Sequence, residues 1–139
     1  MNNNDLIEMI KKHEGKKLIP YKCSKGHLTI GYGHNLNKGI SENIALYMLY
    51  GDIKNAQNDV KILMPYLEDN TVRYYAFVDM MFNLGLTKIK KFNKMLVAAK
   101  NGDWKETANQ MLDSDWHKQV GNRAKRLSEI MLTGEGLTL

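Results

Sequence analysis

The stretch VRYYAFVDMMFNLG, residues 72–85, constrains the fold more than any other. After its first turn it is apolar nearly all round, and a helix of that kind must be enclosed by other helices rather than lie on a surface. Thr71 is placed to cap it and Gly85 to end it, so the spacing predicts a central core helix from Val72 to Leu84. The neighbours that could enclose it are legible too. Ser41 can cap a long helix whose Ala45, Leu49, Ile53, Ala56, Val60 and Leu63 track one stripe, ending near Pro65. Shorter helices are expected around Ile89 to Ala99, Asp103 to Leu112 and Asn122 to Leu132, with Gly102, Gly121 and Gly134 between or after them.

The N-terminal part follows a different period. Leu6, Ile7 and Ile10 recur at helical spacing behind Asn4, a candidate N-cap, and Gly15 can stop that helix, which gives a first helix over about residues 5 to 14. From Tyr21 to Ile30 the alternation becomes that of strands, with Ser24-Lys25-Gly26 as the turn of a β-hairpin. Gly31-Tyr32-Gly33-His34-Asn35 then reads as an irregular loop. The class is α+β, with one small sheet near the N-terminus and a helical body after it.

At 139 residues the chain fits a single domain able to bury roughly two-thirds of its unfolded surface, with no need of a disulfide or structural metal. Its one cysteine cannot form an intramolecular disulfide. No apolar run approaches the ~20 residues a bilayer span requires. Residues 1–10 lack the basic, then apolar, pattern of a cleaved secretion signal, so synthesis in a cytoplasm is expected. Twenty Lys plus Arg against fifteen Asp plus Glu leave a net charge of +5. The surplus lies at Lys11/Lys12, Lys16/Lys17, Lys88 to Lys94 and Arg123 to Arg126, and it favours a polyanionic partner. Nucleic acid, anionic lipid and bacterial cell wall all qualify on charge alone.

Groups able to do chemistry concentrate between His13 and His34. Zinc binding would need three or four ligands at defined spacing, and one Cys with three scattered His matches no compact zinc pattern. A nucleophilic Cys23 with His27 or His34 as base would suit a cell-wall amidase, although Cys23 sits in a strand rather than at an activating helix N-terminus. A third reading starts from Glu14, at the end of the first helix. The negative end of the helix dipole and apolar neighbours there would suit a proton donor. The hairpin can then bring Cys23 and Thr29 opposite it, so that a sugar ring between them meets an acid on one face and a positioned water on the other, as in an inverting glycosidase. The plain alternative is an ordinary helix-end acid and a small buried cysteine.

The run HEGKKLIPYKCSKGHLTIGYGHNL resembles the active-site segment of the phage-type lysozymes, or endolysins. Their triad is a Glu, eight residues, an Asp or Cys, five residues, and a Thr, a spacing that Glu14, Cys23 and Thr29 satisfy. The likeness continues in TIGYGH at residues 29–34, FNLG at residues 82–85 and WHKQVGNRAKR at residues 116–126. It covers roughly residues 6 to 36 and 72 to 134.

The resemblance implies a hairpin lobe over about residues 12–40, a connecting helix over 41–65, and a helical lobe over 66–139 that includes the N-terminal helix, with the site in the cleft between lobes. It implies hydrolysis of the β-1,4 bond between N-acetylmuramic acid and N-acetylglucosamine in peptidoglycan. Glu14 would be the general acid, with Cys23 and Thr29 holding the attacking water. Arg123 would reach back to restrain Glu14. Asn83, Gln119, Leu28 and Phe82 would contact the glycan, and His34 would pair with Asp52 to tie sheet to helices. No cofactor or metal is implied. A monomer is expected, with no nucleic-acid partner and no membrane insertion, needing a holin to release it towards the wall. Cys23 departs from the more familiar aspartate, and His13 from a more familiar acidic residue.

Overall fold

A computed structural model describes residues 2–136 and divides the chain into two compact units, Met1–Tyr47 and Met48–Leu139. The division falls inside a single long helix. The N-terminal helix groups with the sheet in the first unit.

In the first unit, helix α1 runs Asn3–Glu14. It starts two residues before the expected place because Asn2, not Asn4, is the cap. The Asp5 amide donates to Asn2 Oδ1 at 3.0 Å, and the Asn2 amide donates to Asp5 Oδ2 at 3.0 Å. Only Asn2 has an acid three residues on to close this reciprocal box; the residue three after Asn4 is Ile7. Gly15 ends the helix with a φ of +70° and its amide on Lys11 O at 2.9 Å.

Strands β1 (Lys17–Lys22), β2 (Leu28–Gly31) and β3 (His34–Asn35) then form an antiparallel sheet in that order. Tyr21 pairs with Thr29 and Lys22 with Leu28, and an irregularity lies between Lys17 and Tyr21. β3 occupies the place expected to be an irregular loop. Positive φ at Gly31 and Gly33 reverses the chain around Tyr32, so that Ile30 pairs with His34 and Thr29 with Asn35. Two residues of strand are too few to show an alternating pattern, which is why this pairing is hidden in the sequence. Among the described residues of this unit, Thr29 is the one classed as buried, at 3% exposure.

Helix α2 (Glu42–Leu63) is capped by Ser41, whose Oγ accepts from the Ile44 amide at 3.2 Å. Its stripe is buried only in its later turns, at Ala56 and Val60. In the second unit, α3 (Val72–Leu84) is the core helix the pattern predicts, with Tyr74, Ala76, Phe77, Val78, Met80 and Met81 buried. Thr71 caps it, accepting from the Tyr74 amide at 3.2 Å. The expected helix from Ile89 to Ala99 is two: α4 (Leu86–Ile89) and α5 (Asn93–Lys100). Between them Lys91 and Phe92 bond back three residues, to Lys88 O at 3.1 Å and Ile89 O at 2.9 Å, a tightening that ends the first helix.

α6 (Trp104–Leu112) packs on α5 and on α8 (Asn122–Thr133), and α8 packs on α3. A further helix, α7 (Asp115–Val120), escaped the sequence reading. It has six residues and buries only Trp116, too short a run for helical periodicity to register. No helix among the described residues is long and apolar enough to cross a membrane.

Candidate active site

The first unit carries Glu14 at the end of α1, Cys23 just after β1 and Thr29 in β2. Cys23 follows β1 directly, and its amide donates to His27 O at 2.9 Å, closing the hairpin. The part-exposed thiol is held below the ordinary thiol range, chiefly because the Lys25 amide, and after it the His27 amide, favour the thiolate. The Thr29 hydroxyl lies close enough to the sulfur to act in the same direction, while burial opposes it. Thr29 Oγ1 donates to His27 O at 2.9 Å. The hydroxyl has one proton, which goes either to His27 O or to the Cys23 thiolate, and its lone pairs can accept from a water.

Glu14 ends α1 against the turn between β2 and β3. A Cβ added at Gly33 would stand 2.8 Å from Glu14 Cδ and 3.3 Å from Cγ, in a backbone conformation of φ +71° that L side chains rarely adopt. A glycine is therefore required where the carboxyl group meets the turn. Glu14 is exposed, so the apolar surroundings expected for it are not supplied by this unit. His34 Nε2 donates to Gly39 O at 2.8 Å, a bond local to the first unit, while its expected partner Asp52 lies in the second and is exposed. Leu28, the first residue of β2, is 43% exposed.

In the second unit, Arg123 is held by Asp79. Its Nε donates to Asp79 Oδ1 at 2.6 Å and its Nη2 to Asp79 O at 3.2 Å. Both side chains are partly exposed, so the pair orients the guanidinium more than it stabilises the fold. Asp79 lies one turn before Asn83 on α3, and its partner is 44 residues away, so no local spacing signals the contact. Asn83 Oδ1 accepts from Trp116 Nε1 at 2.6 Å, which gives a buried indole its partner and, among the described residues, leaves the Asn83 amide group without one. Phe82, beside it, is 41% exposed. Gln119 lines a pocket of about 730 Å³ together with Trp116.

Asn83→Ala strands the buried Trp116 N–H and should destabilise the protein by roughly 1–3 kcal/mol. Asn83→Asp, which keeps the acceptor, should recover most of it. Urea denaturation of the two variants checks this, and equal midpoints for wild type and alanine would remove Asn83 from the support of Trp116.

Known proteins resemble this chain along nearly its whole length. It is 29% identical to the pre-baseplate central spike protein Gp5 of Enterobacteria phage T4 over 95% of this chain, and spans 28% of that protein. It is 26% identical to probable T4-type lysozyme 2 of Dictyostelium discoideum, over 94% of this chain and 95% of that one. An endolysin of Acyrthosiphon pisum secondary endosymbiont phage 1 is 36% identical over 58% of each chain. The family model described as phage lysozyme matches residues 11–130, which contain the Glu14, Cys23 and Thr29 arrangement and the Asn83 and Arg123 contacts. The chain belongs to the phage lysozyme family.

Proposed function

We propose that the chain is a muramidase of the endolysin kind, which hydrolyses the β-1,4 bond between N-acetylmuramic acid and N-acetylglucosamine in bacterial peptidoglycan. The observation that carries this reading is the meeting of the Cys23 thiol and the Thr29 hydroxyl at one end of β2, with the Glu14 carboxyl group at the turn that follows its other end. The acid and the water-holding pair thus meet β2 towards its opposite ends. An inverting glycosidase needs its two groups about 6.5–9.5 Å apart, room for one water between them and the sugar.

In this mechanism Glu14 gives its proton to the glycosidic oxygen as the bond to the anomeric carbon breaks. Thr29 and Cys23 hold a water at the opposite face of the sugar, and that water attacks as the leaving group departs. Arg123, held by Asp79, is a supporting cation, and Asn83, Gln119, Leu28 and Phe82 contact the glycan. His34 and Asp52 serve the fold. The enzyme works as a monomer without a cofactor, and reaches the wall once a holin has opened the membrane.

Digestion of purified peptidoglycan tests the reaction type. New reducing sugar ends are expected. New free amino groups without reducing ends would instead make the chain an amidase using Cys23, and neither product would leave a binding module.

A further inference from the structure

Helix α1 presents a lysine where an apolar side chain would be expected to be covered. Leu6, Ile7 and Ile10 are exposed, whereas Lys11 is the one residue of α1 that is half-buried. Its Nζ stands over the ring of Tyr32, 5.8 Å from the centroid, and also donates to Glu8 Oε1 at 3.0 Å. At that range the negative face of the ring attracts an ammonium group. The hydrogen bond to Glu8, then the Glu8 charge, and after it Tyr32, hold the Lys11 ammonium above the ordinary lysine range, so it stays charged through neutral pH. Lys11 and Glu14 are one turn apart on α1 and so share a face. Tyr32 and Gly33 are consecutive in the turn between β2 and β3. Two contacts therefore run side by side from helix to turn: Lys11 on Tyr32, and the Glu14 carboxyl group against Gly33.

We propose that Lys11 and Tyr32 are positioning residues: the cation on the ring fastens the turn to α1 and so fixes the Glu14 carboxyl group relative to Thr29. The inference rests on the muramidase reading for the task of Glu14. The turn needs a fastener. Tyr32 lies between Gly31 and Gly33, both at positive φ, and glycine backbone rearranges at the least steric cost. Beyond the turn β3 has only two residues, so the ladder that holds it is short. The contact of Glu14 with Gly33 is one of shape: the missing Cβ makes room for the carboxyl group and supplies no attraction. Lys11 on Tyr32 supplies it, beside that contact. Thr29 belongs to the strand that leads into the turn, so a turn that swings away from α1 alters the separation between the acid and the water-holding pair. Misplacing a reacting group by about 1 Å can cost on the order of 10²-fold in rate, so a modest fastener has a kinetic effect.

The test uses the full chain and measures kcat and KM for release of reducing ends from soluble, uncrosslinked peptidoglycan strands. Lys11→Met keeps the length of the side chain without its charge, and Tyr32→Leu keeps an apolar side chain without the ring. Both positions are partly exposed, so the variants should fold. A cation over a ring at an exposed site shifts an equilibrium roughly 2- to 5-fold. In either variant kcat should fall by about that factor with KM unchanged, and the double variant should fall no further, because both substitutions break one contact. Lys11→Arg and Tyr32→Phe should recover most of the loss, since guanidinium also stacks on aromatic faces and phenylalanine keeps the ring. Proton NMR reads the contact without catalysis: the ring current of Tyr32 should displace the Lys11 Hε resonance upfield in wild type and in Tyr32→Phe, and not in Tyr32→Leu. An undisplaced resonance in wild type, an unchanged kcat in either single variant, additive losses in the double variant, or a Tyr32→Phe as slow as Tyr32→Leu overturns the proposal. A Tyr32→Leu loss confined to KM overturns it too, and would make Tyr32 a glycan contact. A wild type that shows the displaced resonance yet releases no reducing ends bears instead on the muramidase reading, so the two failures are distinguishable.

Discussion

Glu14→Gln should leave the fold intact and lower the rate of peptidoglycan hydrolysis by roughly 10²- to 10⁴-fold, the usual worth of a positioned general acid. Glutamine keeps the length and hydrogen-bonding reach of the side chain but has no proton of comparable acidity to give to the departing glycosidic oxygen. Folding should be insensitive, because Glu14 is exposed and is the last residue of α1, whose end is secured by the Gly15 amide on Lys11 O. Gly33→Ala is the companion test. Its added methyl would press on the Glu14 carboxyl group from a backbone position of φ +71°, so activity should fall although no catalytic atom has changed. Release of reducing ends, with circular dichroism as the check on folding, reads both. A folded Glu14→Gln variant that clears walls at the wild-type rate would falsify the acid role.

The fold was legible where a single physical signal ran long enough. α3 announced itself because its apolar character continues round the helix, and six of its residues are buried. Thr71, Ser41 and Gly85 stand where caps and a stop were expected. What escaped was short or tertiary in origin. β3 has two residues and α7 six, lengths over which neither a period of two nor one of 3.6 can be read. The break between α4 and α5 follows from bonds three residues back around Ile89, which is fully buried. At the site, the spacing of Glu14, Cys23 and Thr29 pointed to one small region, and the hairpin register gathers Cys23 and Thr29 there. The Asp79 contact to Arg123 and the pocket shared by Lys88 and Lys118 join residues about 30 or more positions apart. No local pattern encodes such pairs, because they arise when helices pack.

Cys23→Ala should lose roughly 10²-fold or more in rate, whereas Cys23→Asp should remain active. Alanine leaves the attacking water with Thr29 alone; aspartate restores an acceptor able to orient it and take its proton. The thiol of the native protein can do the same only to the extent that it ionises, and the Lys25 and His27 amides favour that ionisation. Alkylation of Cys23 should therefore reach half its limiting rate at a lower pH than an ordinary cysteine, whose pKa is about 8.5. Because the folded state depresses this pKa, the thiolate adds to stability above the unfolded value, and that contribution disappears as pH falls through the folded one. Product stereochemistry then separates the two ways a thiolate could act. A water held by Cys23 and Thr29 attacks once and inverts the anomeric centre, whereas a sulfur that itself attacks forms a thioglycosyl intermediate and, after a second displacement, retains it. Inversion is expected, since the Thr29 lone pairs beside the sulfur are suited to a water. A retained product with a trapped adduct on Cys23 would make the thiol a nucleophile, and full activity in Cys23→Ala would reduce it to packing.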